Sequence, residues 1–116
     1  PLGSMMMRFK SDVVPHPSWA LPVALQVAEG VYADLAAAEL IVTSGIEGVH
    51  VSESAHRQGW AVDLRIIHVP HDRWEAIVQA LKARLPKYTV VLERTPPLNL
   101  GETDFWAPHI HLAIPP

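Results

Sequence analysis

The sequence predicts an α+β domain in which helices pack on one face of a mostly antiparallel sheet. Two segments, residues 21–39 and 72–85, place apolar side chains at helical spacing. Short apolar and β-branched runs, typical of strands, occupy residues 40–43, 61–67, 88–92 and 109–114. With 116 residues, of which 49% are hydrophobic, the chain can bury one core. We therefore expect a single domain.

Residues typical of turns, helix caps and helix ends separate the predicted elements. The first helix leads directly into the first strand, which ends at the turn Ser44-Gly45. In the second helix Asp72 is the predicted N-cap, and Glu75 three residues later completes a capping box. Pro86 ends that helix, and a loop rich in Pro, Asn and Gly precedes the last strand. The apolar stripe of the second helix is therefore predicted to be core.

Composition limits the classes of function. Residues 1–4 read Pro-Leu-Gly-Ser, which resembles the remnant of a cleaved expression tag, so the domain is taken as residues 5–116. No signal peptide or membrane span is predicted, which favours a cytoplasmic protein, or a virion-associated or wall-acting one if it is phage-borne. A net charge of −3 without a basic stripe argues against nucleic acid as a partner. The absence of cysteine excludes disulfides and thiolate ligands.

Two short motifs carry the candidate chemistry. Residues 54–63 read SAHRQGWAVD and place His56 on a loop, with Asp63 at the start of the following strand. Gly59 between them permits a tight turn or a close approach of another backbone. The second motif is His109-Ile110-His111, in which alternation puts both imidazoles on one sheet face and Ile110 on the other.

These residues satisfy the ligand count of a catalytic zinc site. Such a site takes three protein ligands from His and Asp or Glu and leaves one position for water. His56, Asp63 and one of the two C-terminal histidines meet that count, so Zn²⁺ is the predicted cofactor. Finding both motifs in one short chain makes coincidence much less probable than for either motif alone.

Residues 54–63 resemble the SxHxxGxAxD signature of the D-Ala-D-Ala metallopeptidases, the superfamily that includes phage peptidoglycan peptidases and the hedgehog domain. The HIH motif resembles the end of the same site in hedgehog domains and the HxH of lysostaphin-type endopeptidases. The resemblance covers residues 41–67 and 109–114. It implies a hedgehog-like fold with a zinc cleft on the sheet face opposite the helices, and it implies His56, Asp63 and His111 as ligands.

This sequence differs from the family pattern at two functional positions. Pro108 stands three residues before His111, where the peptidases carry Glu or Asp, and Glu47 stands where they carry a substrate-binding Arg. Asp104, Glu102 and His109 remain the candidates for moving the proton. His50 lies where hedgehog domains have a cleft histidine and is a further candidate catalytic residue.

Two functions follow from this site. The first is a zinc peptidase that hydrolyses a peptide bond in bacterial cell-wall peptides. Such a domain would suit a phage lysis enzyme or a tail-associated enzyme. The second is a catalytically inactive zinc-binding module that binds a partner protein. Asp104 and His109 favour the first, and Pro108 and Glu47 favour the second.

Overall fold

The computed structural model describes residues 7–9, 22–44, 61–101 and 105–113. Within these ranges the elements in chain order are β1 (Met7–Phe9), α1 (Pro22–Ala36), β2 (Leu40–Ser44), β3 (Ala61–Arg65), a 3-10 turn (His71–Arg73), α2 (Trp74–Arg84), β4 (Thr89–Glu93) and β5 (His109–Ala113). The predicted α+β class is confirmed.

The five described strands form one sheet in the order β1-β2-β3-β5-β4. The three pairings among β2, β3, β5 and β4 are antiparallel, and β1 joins the edge of β2 in parallel. The predicted, mostly antiparallel sheet is thus present. Strand β1 is an addition, because the sequence interpretation assigned no element to those residues.

Both described helices cover the same face of this sheet. Alternate strand residues point into a core that they share with the apolar stripes of α1 and α2. The strand contribution consists of Leu40, Val42, Val62, Leu64, Val90, Ile110 and Leu112. The helix contribution includes Ala24, Leu25, Ala28, Val31, Tyr32, Trp74, Ile77, Val78 and Leu81. The stripe of the second helix is therefore core, as predicted, and the residues that alternate with the strand set lie on the opposite face.

The beginning of α2 differs from the prediction. Asp72 lies inside the 3-10 turn, the N-cap is Arg73, and no side chain caps the helix, so the predicted capping box is wrong. The backbone explains the difference, because the Arg73 N–H donates to the Pro70 carbonyl at 2.9 Å as the chain winds into the helix. Donors that a side chain would have satisfied are met by this tighter turn.

Strand β3 is also shorter than predicted and ends at Arg65. The Val69 N–H donates to the Ile66 carbonyl at 2.9 Å, which closes a turn directly after the strand. Ile66 remains buried in the core while Ile67 is exposed. Asp63 consequently lies in the middle of its strand and not at the start, where the sequence interpretation had put it.

Two hydrogen bonds from aromatic side chains fix the ends of these elements. The buried Tyr32 hydroxyl in α1 donates to the Arg65 carbonyl at 2.7 Å, and the Trp74 indole N–H donates to the Val69 carbonyl at 2.9 Å. Each bond satisfies a polar group that burial removes from water. Together they hold the end of β3 and the following turn against the helices. In the described part of the chain, no helix is long and apolar enough to cross a membrane.

Candidate metal centre

The register between β3 and β5 brings the two predicted motifs together. Asp63 is paired directly with His111, and Arg65 is paired with His109. Side chains of directly opposed residues lie on the same face of a sheet. Because Leu64 and Ile110 point into the core, Asp63, His109 and His111 lie on the face away from the helices. The predicted alternation of the HIH motif is confirmed.

Asp63 contacts both imidazoles, each with a different oxygen. Its Oδ1 lies 3.3 Å from Nδ1 of His111, and its Oδ2 lies 3.8 Å from Nε2 of His109. The first distance is that of a long hydrogen bond, whereas the second is too long for one. A single carboxylate therefore bridges two histidines that are successive on one face of β5.

The three side chains are largely removed from solvent. Their exposed fractions are 12% for Asp63, 22% for His109 and 25% for His111. Electrostatic interactions are stronger in such partly buried surroundings than at a fully exposed surface. Each of them nevertheless keeps part of its surface exposed to solvent.

The orientation of His109 is fixed by the backbone. Its Nδ1 lies 2.8 Å from the carbonyl oxygen of Ala107. A carbonyl can only accept, so this Nδ1 carries the proton and donates it. In the neutral ring the lone pair is then on Nε2, the atom that faces Asp63. An imidazole oriented by a carbonyl in this way is a typical arrangement for a metal ligand or a base.

The donor pair Asp63 and His111 fits zinc. Two ligand atoms that each lie about 2.0–2.2 Å from a tetrahedral zinc ion are roughly 3.3–3.6 Å apart. The observed 3.3 Å between Oδ1 and Nδ1 falls in that range. A carboxylate oxygen and an imidazole nitrogen are also the donor types that zinc takes in catalytic sites. These two residues could therefore share one ion with little movement.

The described residues alone do not form a metal site. Across ranges 7–9, 22–44, 61–101 and 105–113, no group of three His, Asp or Glu side chains is arranged to hold an ion. The predicted third ligand, His56, lies outside these ranges, as do the candidate catalytic residues Asp104 and His50. Glu102 and Glu47 lie outside them as well.

Pro108 and the two aromatic residues before it are described. Pro108 is half-buried directly before β5, and its side chain has no group that could carry a proton. The Trp106 ring meets the His109 ring edge-on, with centroids 5.8 Å apart, while Phe105 is 81% exposed. Trp106 therefore borders the cluster.

Two charged residues of this face escaped the sequence interpretation. Arg65 and Glu93 are the neighbours of His109 on either side, one on β3 and one on β4. The sequence alone could have placed Arg65 on the face of Asp63, because Arg65 follows Asp63 by two positions in the same strand. It could not have placed Glu93 there, because that position depends on the pairing of β4 with β5, which the sequence does not specify.

In comparisons with known protein families, curated proteins and solved structures, no match to this chain is found.

Proposed function

We propose that this domain is a zinc-dependent peptidase that hydrolyses a peptide bond in bacterial cell-wall peptides. The observation that supports it most directly is the 3.3 Å approach of Asp63 Oδ1 to His111 Nδ1 on the sheet face opposite the helices. This is the pair that the motif resemblance implies as two of the three ligands. A hedgehog-like fold and an endolysin-like role in phage lysis or tail penetration are parts of the same proposal.

Each residue has a part in this proposal. His56, Asp63 and His111 hold the metal. When bound, zinc lowers the pKa of its water to about 7 and polarises the scissile carbonyl. His109, with Nδ1–H committed to the Ala107 carbonyl, presents the Nε2 lone pair toward the cluster, where it can accept a proton and pass it to the leaving amine.

Zinc content and peptide hydrolysis, measured on the same preparations, test the proposal. We expect about one zinc per chain and release of new amine groups from purified peptidoglycan, with both lost in His111→Ala. His71→Ala is a matched control, because it also removes one imidazole but lies on the exposed 3-10 turn before α2. Loss of zinc in both variants, or in neither, would contradict the ligand assignment.

A second comparison identifies the residue that moves the proton. His109→Gln and Asp104→Ala each remove one candidate without removing a proposed ligand, and Glu102→Gln removes the third. We expect His109→Gln to lower turnover about a hundredfold to ten thousandfold while zinc stays bound, because that is the usual contribution of general acid–base catalysis. If only Asp104→Ala or Glu102→Gln has this effect, the proton carrier is that carboxylate. His50→Gln tests in the same way whether His50 contributes to turnover.

The alternative function is a zinc-binding module that binds a partner protein without hydrolysis. Pro108 favours it, since that residue occupies the position at which the resembling peptidases carry their acid. Full zinc occupancy together with no amine release from any cell-wall substrate would support this alternative. Absence of zinc would exclude both functions.

A further inference from the structure

Arg65 is the one Lys or Arg in the described ranges that is not exposed. It is half-buried, whereas Arg8, Arg73, Lys82, Arg84, Lys87 and Arg94 are all exposed. Its strand position places its side chain on the face of Asp63, two residues away, and beside His109 on the next strand. The Cα atoms of residues two apart in a strand are separated by about 6.6–6.8 Å. An arginine side chain at this position is long enough to reach the candidate metal centre.

No acidic side chain within those ranges forms an ion pair with Arg65. Two of the exposed arginines do have such partners, since Arg8 lies 3.6 Å from Glu39 and Arg94 lies 3.6 Å from Glu75. Partial burial of a cation without an anion is unfavourable, so a guanidinium that has no ion-pair partner among the described residues favours binding of an anion that they do not supply. A guanidinium binds a carboxylate with two parallel hydrogen bonds, which makes carboxylate the best-fitting ligand.

The residues on the two sides of His109 carry opposite charges, which determines where an anion can bind. Glu93 pairs with His109 from β4, so the row across three strands reads Arg65, His109, Glu93. Two strand spacings separate the outer residues by about 9.5 Å. A negative group is repelled by Glu93 on one side of His109 and attracted by Arg65 on the other. The Asp63 carboxylate repels it as well unless a bound cation offsets that charge, so a carboxylate would bind at the guanidinium, beside the proposed metal ligands.

We propose that Arg65 binds a carboxylate of the substrate, so that the domain cleaves peptides that carry a free carboxylate beside the scissile bond. This inference rests on the proposed peptidase function. In a cell-wall stem peptide two groups offer the required chemistry, namely the C-terminal carboxylate and the α-carboxylate of a γ-linked D-Glu residue. Arg65 acts here as a substrate-binding residue and takes no part in proton transfer.

Three peptides separate these sources. They are L-Ala-γ-D-Glu-L-Lys-D-Ala-D-Ala, the same peptide with a C-terminal carboxamide, and the same peptide with the D-Glu α-carboxylate amidated. Each is tested with the wild-type protein, Arg65→Gln, Arg65→Lys and the control Arg84→Gln, which removes an exposed arginine on α2. Circular dichroism spectra establish that the variants are folded. Hydrolysis is measured as kcat/KM, and binding is measured by NMR titration with the same peptides.

We expect the wild type to prefer the free acid over one of the amides by about tenfold to a hundredfold, the usual worth of a charged hydrogen bond. Arg65→Gln should remove this preference by slowing the free acid alone, Arg65→Lys should keep part of it, and Arg84→Gln should keep all of it. The amide that is cleaved slowly identifies the carboxylate that binds.

The other outcomes distinguish the two proposals. Equal cleavage of all three peptides, or a preference that survives in Arg65→Gln, overturns the carboxylate site and leaves the peptidase function intact. If no peptide is cleaved, the peptidase function fails on this substrate class, and the titrations decide about Arg65. Tighter binding of the free acid that is lost in Arg65→Gln then supports the carboxylate site, whereas equal binding of acid and amide overturns it.

Discussion

The two faces of β5 differ in what determines each residue. On the inner face Ile110 and Leu112 are fully buried and pack against side chains from both helices and the neighbouring strands. On the outer face His109 and His111 keep about a quarter of their surface exposed and are positioned by one carboxylate and one backbone carbonyl. The inner face is specified by many interchangeable apolar contacts, whereas the outer face depends on a few contacts with defined atoms. Mutations on the two faces should therefore affect different properties of the protein.

The largest expected effect comes from Asp63, which contacts both histidines. Asp63→Asn keeps the size of the side chain but removes the charge, so we expect zinc to be lost and hydrolysis to fall by about three orders of magnitude, since a metal supplies several kcal/mol of transition-state stabilisation. Metal analysis and amine release measure the effect, and urea unfolding checks the fold. Undiminished zinc in Asp63→Asn would contradict the assigned role.

A substitution on the inner face should show the opposite pattern. Leu112→Ala leaves a cavity in the core, and we expect it to lower the free energy of unfolding by about 2–5 kcal/mol. The fraction of protein that remains folded should bind as much zinc as the wild type. Urea unfolding followed by tryptophan fluorescence gives the stability, and metal analysis of the folded fraction gives the occupancy. Loss of zinc at unchanged stability would show that the faces are not independent.

Tyr32 connects the inner layer to the end of β3, and its removal tests that connection. Tyr32→Phe leaves the Arg65 carbonyl without its buried donor, so we expect a loss of about 1–3 kcal/mol in the free energy of unfolding near neutral pH. Urea unfolding of the two proteins measures this loss. Equal stability would show that the bond contributes nothing.

The same pair of proteins should also differ in pH dependence. Burial raises the pKa of Tyr32 well above its ordinary value of 10.0, so above that pH the unfolded chain loses a proton that the folded protein retains. Stability therefore falls as the pH rises past about 10, by up to about 1.4 kcal/mol per pH unit from this one group. The difference between wild type and Tyr32→Phe should narrow over that range. A constant difference between pH 9 and 11 would count against this interpretation.

The smallest expected effect lies far from both faces of β5, at the end of α1. Ala37 has a φ of 49°, in the left-handed region, and its N–H donates to the Ala33 carbonyl at 3.0 Å. Glycine adopts this conformation without the steric cost of a Cβ atom, and Ala37 is exposed, so no packing is lost. Ala37→Gly should raise the free energy of unfolding by about 0.5–1 kcal/mol. Thermal unfolding measures it, and a decrease in stability would contradict the assignment of strain.

The sequence predicts the elements better than their ends. The stripe of apolar residues in α2 and the alternation of the HIH motif were recognisable because each follows the period of its element. The N-cap at Asp72 was not, because a 3-10 turn built from backbone bonds replaced the side-chain cap. Strand β1 has three residues and gains its place by pairing with β2, so no local pattern indicates it.

The site shows the same division. Asp63 and His111 were predicted to act together from the resemblance of their motifs to a metallopeptidase site, and the register places them opposite each other. The role of Ala107 in orienting His109 could not be predicted, because a carbonyl is common to every residue and only the fold selects one. Likewise, the position of Glu93 beside His109 depends on which strand pairs with β5. Functional groups that belong to side chains can be predicted from a sequence. Functional groups of the backbone, and neighbours that depend on strand register, cannot.

Pro108 has a consequence beyond its lack of an ionisable group. It stands between Ala107, whose carbonyl accepts from His109, and His109 itself. The proline ring restricts φ to about −65°, so the short segment that joins acceptor and imidazole has few conformations to lose when the bond forms. The orientation of the His109 imidazole is thus obtained at a low cost in conformational entropy, before any ligand arrives. A residue with no ionisable side chain thereby reduces the conformational freedom of the imidazole beside it.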